Sequence, residues 1–353
     1  MSKVLMKGNE AIGLAAIKAG CKCFFGYPIT PQNELPAFMS EELPKINGSF
    51  VQAESEVAAI NMVYGAGGCG VRVMTSSSSP GIALKQEGIS YLAGAEVPCF
   101  IVSVGRGGPG LGGIQPAQSD YFQATRGGGN GDYKVPVVAP NSIQEAIDWT
   151  YKAFDMADEY RTPVMMLVDG LIGQMMEPVS FERAEAKEFD RSSWATTGTK
   201  GQRKPNIINS LYLEPHDLED HNLRLQAKYK TIREKEVAWE NYNLEGAEIV
   251  AVAYGTTSRI VKNAIEKLKE RGIKMGLVRP ITLNPFPYEA FQTLPSSVKC
   301  LISIEMSLGQ MIEDVRLASN GKYPVEFYGR TGGVIPTPGE IVDYIEKLVK
   351  EAK

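Results

Sequence analysis

Four short segments of this 353-residue chain carry residue types that could act on a ligand. Tyr27-Pro28-Ile29-Thr30-Pro31 sets a hydroxyl between two prolines, and Glu54-Ser55-Glu56 supplies two carboxylates in three residues. Thr75 to Gly81 is a run of hydroxyls ending in Ser79-Pro80-Gly81, and Arg106 stands in the glycine loop Gly105 to Gly113. Each has an ordinary reading beside the functional one. Prolines make rigid turns, a glutamate in a helix's first turn is favoured by the dipole, and serines before a helix either bind phosphate or turn the chain. Arg106 is harder to dismiss, because glycines let backbone approach a ligand and a forked guanidinium suits a carboxylate or phosphate. Arg126, a second cation among glycines, reads equally well as a surface residue.

What is missing narrows the chemistry. Both histidines, His216 and His221, fall far from these segments. There is no Gly-x-Ser-x-Gly elbow, no Walker loop, and no Gly-x-Gly-x-x-Gly placed between a strand and a helix. Histidine acid–base and Ser–His routes are therefore closed. Glu, Arg and Thr without a histidine point to a cofactor that brings its own base.

Repeated strand–helix units over residues 1–180 are expected to position these segments on a parallel sheet covered on both faces. Strands are expected at Cys21 to Phe25, Ser49 to Gln52, Val71 to Met74, Cys99 to Val104 and Pro163 to Val168. The helices between them include Glu56 to Tyr64, stopped by Gly65, and Ile82 to Ala93, with Thr75 to Gly81 as a loop. Ligands bind at the carboxyl ends of such strands, so all four segments fall on one rim. Ser142 and Glu145 form a capping box before a helix ending near Tyr160. Residues 181–245 read as a charged, partly helical connector without catalytic residues. A smaller α/β unit follows at 246–353, with a strand ending at Glu305 and a terminal amphipathic helix from Pro338.

Composition sets the outer limits. Apolar residues are 43 %, charged residues 22 % and the net charge is −4, which describes a soluble globular protein with no basic excess for nucleic acid. No stretch approaches the roughly 18–20 apolar residues of a membrane span, and the N-terminus lacks the apolar core of a signal peptide. Five cysteines, Cys21, Cys23, Cys69, Cys99 and Cys300, read as reduced thiols packed as small hydrophobes in a cytoplasmic protein.

Gly26-Tyr27-Pro28-Ile29-Thr30-Pro31, Gln52 to Ala59 with Tyr64-Gly65-Ala66-Gly67, and the serine run together resemble the α subunit of 2-oxoacid:ferredoxin oxidoreductases. The Arg106 to Gly113 loop, Gln118 to Tyr121 and Gly129 to Tyr133 are most similar to the branched-chain (2-oxoisovalerate) group. The resemblance implies an α/β fold: a parallel-sheet, thiamine-diphosphate pyrimidine-binding-type domain, then a transketolase C-terminal-like domain. It implies that Glu56 hydrogen-bonds the pyrimidine N1′ of thiamine diphosphate, with Glu54 as rival, and that Thr30 and Arg106 hold the substrate carboxylate. Ser79 and Gly81 would face the cofactor.

It further implies coenzyme-A-dependent oxidative decarboxylation of a 2-oxoacid with ferredoxin as acceptor. No Gly-Asp-Gly with a downstream Asn is present, and the cysteines are scattered. Mg²⁺ with the diphosphate, and any [4Fe-4S] cluster, are accordingly expected on β, γ and ferredoxin-like partner subunits. Two other readings stay open: a different split-site thiamine diphosphate enzyme, and a non-catalytic anion-binding module.

Overall fold

The computed structural model describes residues 3–182 and 187–351; positions 1–2, 183–186 and 352–353, in the expected N-terminus, connector and C-terminus, lie outside the described residues. Its first elements are β1 (Val4–Lys7), α1 (Gly8–Lys18), β2 (Cys23–Gly26), α2 (Glu34–Lys45), β3 (Ser49–Gln52), α3 (Glu56–Gly68), β4 (Val73–Ser77), α4 (Ser79–Gly94) and β5 (Cys99–Gly105). There follow α5 (Tyr121–Thr125), β6 (Val137–Val138), α6 (Ile143–Tyr160), β7 (Pro163–Asp169), α7 (Gly170–Gln174) and β8 (Met176–Val179). The long α8 (Pro215–Glu236) leads to β9 (Trp239–Tyr242), β10 (Ile249–Val252), α9 (Gly255–Glu270), β11 (Met275–Pro280) and β12 (Thr282–Asn284). The remainder is α10 (Glu289–Gln292), β13 (Cys300–Glu305), α11 (Met311–Ser319), β14 (Val325–Gly329) and α12 (Pro338–Glu351).

Seven strands form the first sheet in the order β12-β6-β7-β5-β4-β2-β3. All its pairings are parallel except that of edge strand β12. The central strands β4, β5 and β7 are buried along their whole length, as expected of strands covered on both faces. The second sheet runs β14-β13-β10-β11-β9, with β9 antiparallel at its edge. Ile101 and Met165 of the first sheet share one apolar cluster with Val250 and Leu301 of the second. The two sheets are thus packed on a common core, and β12, from the later part of the chain, completes the edge of the earlier sheet.

Local chemistry moved several expected boundaries. Thr75 to Gly81 is not a loop. β4 continues through Ser77 and α4 opens at Ser79 with Pro80 in its first turn, leaving only Ser78 between them. The proline's fixed φ suits that position, and the strand hydroxyls are buried rather than solvated. Gly65 does not stop α3, which runs to Gly68. A Cβ at Gly67 would lie 2.6 Å from Val97 Cγ1 and 2.9 Å from the Pro98 carbonyl, so that glycine permits close helix packing. Cys21 precedes its strand rather than starting it, and burial pushes its thiol up to about 12. Strand structure also reaches further than expected, since β8 runs up to the charged connector, helix α8 ends at Glu236 and β9 follows it within the connector. Ser142 does cap α6 by accepting from Glu145 N at 3.1 Å, but the Glu145 carboxylate turns instead to Asn141 N and Arg279.

Candidate active site

The parallel register of β3, β2, β4 and β5 brings their carboxyl ends to one edge of the first sheet. Tyr27 to Pro31 leaves β2, Glu54 and Ser55 follow β3, Ser78 follows β4, and Arg106 follows β5. Thr30, Glu56, Ser79, Gly81 and Arg106 are joined there by direct contacts.

Arg106 is buried, with 7 % of its surface exposed. Its Nη1 donates to the Thr30 carbonyl at 2.9 Å and its Nη2 to the Leu111 carbonyl at 3.0 Å. Its backbone N donates to Ser79 Oγ at 3.0 Å, so the first turn of α4 holds the arginine's main chain. Thr30 itself is half-buried, and its hydroxyl accepts from Asn33 Nδ2 at 3.4 Å. Two carbonyl oxygens fix the guanidinium without neutralising it. Arg106 Nε, Ser77 Oγ and Ser78 Oγ are buried and hydrogen-bond to nothing among the described residues. Native interiors rarely leave such groups unpaired, and here three cluster at one rim.

Glu56 opens α3 and is 6 % exposed, whereas Glu54, two residues earlier, is exposed. Ser55, as N-cap, accepts from Ala58 N at 3.2 Å and fixes the direction in which the helix starts. Glu56 lies against Gly81: a Cβ there would collide with Ser77 Oγ and sit 2.7 Å from Glu56 Oε1. Gly81→Ala should therefore displace the Glu56 carboxylate and cost about 1–3 kcal/mol of stability, the usual scale of overpacking. A denaturant melt of the full chain checks this; an unchanged midpoint would show that the glycine is not needed for the fit.

Sequence reasoning assigned no role to Lys85 or Asp120. Asp120 accepts from Ser79 Oγ at 2.5 Å, and burial pushes its carboxyl up to about 6, against the Ser79 hydrogen bond and the Arg106 charge. It lines a cleft of about 700 Å³ between the Pro80–Leu84 face of α4, the Gly107–Gly110 loop and Leu308. Lys85 is fully buried one turn beyond Gly81. Its signal was its place at the apolar spacing Gly81, Lys85, Ile89, Leu92, where a lysine is out of character.

Other residues lie away from this rim. Arg126 pairs with Asp314 at 3.1 Å and lies over the Phe122 ring, joining α5 to α11. Glu305 accepts from Gln310 N, Met311 N and Ile312 N at 2.9–3.0 Å and so caps α11. His221 bonds the Gly94 carbonyl at 2.7 Å. Gln118 reaches Tyr254, Thr257 and Met306, and Asp169 reaches Thr256, which holds the second unit beside the cleft. Among the described residues no group of three or more His, Cys, Asp or Glu could hold a metal ion, and no helix is long and apolar enough to cross a membrane.

Residues 14–242 match the family model for pyruvate flavodoxin/ferredoxin oxidoreductase, thiamine diphosphate-binding, and residues 247–341 match pyruvate:ferredoxin oxidoreductase core domain II. The chain is 49 % identical over 352 residues to ketoisovalerate oxidoreductase subunit VorB of Methanothermobacter marburgensis, covering 100 % of this chain and 99 % of that one. Among solved structures, 2-oxoglutarate:ferredoxin oxidoreductase from Magnetococcus marinus, with 2-oxoglutarate, coenzyme A and succinyl-CoA bound, aligns with a TM-score of 0.87 at 28 % identity. That alignment covers 98 % of this chain and 65 % of the other. A split-gene transketolase aligns at a TM-score of 0.61 and 15 % identity, over 97 % of each chain, a likeness of fold alone. The chain belongs to the pyruvate flavodoxin/ferredoxin oxidoreductase family, as a subunit of the 2-oxoacid:ferredoxin oxidoreductase type. Its fold is the α/β one expected, a thiamine-diphosphate-binding-type domain followed by a smaller transketolase-like unit.

Proposed function

We propose that this chain supplies the substrate-side and pyrimidine-side half of an active site that oxidatively decarboxylates a 2-oxoacid, of the branched-chain 2-oxoisovalerate class, to an acyl-CoA. The observation that carries the reading is Arg106, a buried cation fixed by two carbonyl oxygens with its Nε unpaired. A carboxylate is the ligand that such a fork accepts, and a charge-assisted hydrogen bond is strongest in a buried setting. Thr30, whose carbonyl anchors the same guanidinium, orients that end of the substrate.

The residues present fit thiamine diphosphate. Glu56 is a buried carboxylate that would hydrogen-bond the pyrimidine N1′, Gly81 leaves space beside it, and the unpaired Ser77 and Ser78 hydroxyls lie on the same rim as Ser79. When bound, the cofactor supplies the electron sink for decarboxylation that no side chain here provides. Mg²⁺ and the diphosphate belong in this reading to a β subunit, and [4Fe-4S] centres to a ferredoxin-like subunit. A γ subunit and soluble ferredoxin complete the complex. Five free cysteines fit a cytoplasmic setting.

The cleft beside the Arg106 loop has apolar residues Pro80, Ala83, Leu84, Pro109 and Leu308 in its walls, together with the Asp120 carboxylate. A second carboxylate, as in 2-oxoglutarate, would meet the Asp120 carboxylate there rather than a cation. The name of the 49 % identical relative points the same way. With the native complex, coenzyme-A-dependent viologen reduction should show kcat/KM roughly tenfold or more in favour of 2-oxoisovalerate over 2-oxoglutarate. The opposite order would overturn the substrate class.

A further inference from the structure

Lys85 is a buried amine whose hydrogen-bond partners are neutral. Its Nζ donates to Thr75 Oγ1 at 2.6 Å and to the Ser76 carbonyl at 3.2 Å. Thr75 Oγ1 in turn donates to the Phe25 carbonyl at 2.6 Å, while Ser76 Oγ bonds Gln32 and Gln32 Nε2 reaches the Tyr27 carbonyl at 3.4 Å. The lysine therefore ties the end of β4 to β2 and to the loop carrying Thr30. A neutral side chain could make such ties without the cost of burying a charge. An ammonium has three N–H donors, and two are accounted for.

The nearby charge explains why a cation is used. Gly81 and Lys85 lie four residues apart on one face of α4, and Glu56 packs on Gly81. The ionisable groups facing Lys85 are Glu56 on α3, which supports its charge, and the Cys99 thiol on β5, which burial holds protonated. We infer that Lys85 is the internal counter-charge of Glu56, a positioning residue that holds the Glu56 carboxylate where the proposed cofactor site needs it. This rests on the proposed role of Glu56, but the charge coupling itself can be measured without cofactor.

Burial pushes Lys85 down to about 7, with the Glu56 charge opposing that fall. In the unfolded chain a lysine titrates near ~10.4. Between these limits the unfolded chain binds the extra proton, so stability gains with rising pH, and the gain is lost when Lys85 is replaced.

The test is a cycle of Lys85→Met, Glu56→Gln and the double variant in the full chain, with stability followed from pH 6 to 10. The stability of the parent relative to its Lys85→Met derivative should rise with pH, the rise setting in around 7. In the Glu56→Gln background its midpoint should move down by about one pH unit, tenfold in proton activity. Equal midpoints in the two backgrounds overturn the coupling. Should Lys85→Met fail to fold, the ¹³Cε resonance of Lys85, followed against pH in the parent and in Glu56→Gln, reads the same shift. In the native complex, Lys85→Met should lower kcat about tenfold with KM for the 2-oxoacid little changed, as expected of a residue that positions Glu56 rather than binding substrate. An unchanged kcat, or a rise in KM alone, overturns the positioning role. Full turnover in Glu56→Gln would remove Glu56 from the chemistry and still leave the cycle to decide the charge pair.

Discussion

A complex assembled with Glu56→Gln should turn over about two orders of magnitude or more slowly, the scale of lost acid–base assistance. Glutamine keeps the shape that packs on Gly81 and leaves Ser55 capping α3. What it removes is the carboxylate that the proposed function sets against the pyrimidine ring. Thiamine diphosphate affinity should fall less than kcat, because the diphosphate contacts are assigned to the partner. Steady-state rates beside cofactor titrations separate the two effects. Near-normal rates in Glu56→Gln with a dead Glu54→Gln would transfer the role to Glu54, despite its exposure at the start of the helix.

Arg106→Lys is expected to have the second largest effect. Lysine keeps the charge but cannot span the Thr30 and Leu111 carbonyls while presenting a fork to a carboxylate. The loss in kcat/KM for the 2-oxoacid should be about 1.5–3 kcal/mol, roughly 10- to 150-fold, as for a charged hydrogen bond. KM for the 2-oxoacid should rise, and the apparent affinities for thiamine diphosphate and coenzyme A should barely move. If coenzyme A alone binds more weakly, the loop after β5 is a phosphate site.

The rim was legible because apolar strands such as Cys99 to Val104 end in Gly, Pro or charged residues that cannot continue them. Parallel order then forces those ends together. Thr75 to Ser77 was misread because a strand of hydroxyls looks solvated until Lys85 and Gln32 are packed against it. β9 and β12 were invisible for another reason. They are three- or four-residue edge strands whose pairing is decided by β11 and β6, not by their own pattern. Spacing to the Tyr64-Gly65 helix end favoured Glu56 and left Glu54 as a rival; what spacing could not show is that Glu56 is buried against Gly81 while Glu54 is exposed. Lys85 escaped because lysine is a surface residue by habit, and only its neighbours show otherwise.

The claim of a shared active site is tested most directly by titrating thiamine diphosphate with Mg²⁺ into the lone chain, then into the chain joined to its partner subunits. The lone chain should carry no iron, bind no cofactor tightly and reduce no viologen. The assembled complex should bind the cofactor stoichiometrically and reduce viologen only with both a 2-oxoacid and coenzyme A. Tight cofactor binding with turnover by the lone chain would contradict the account.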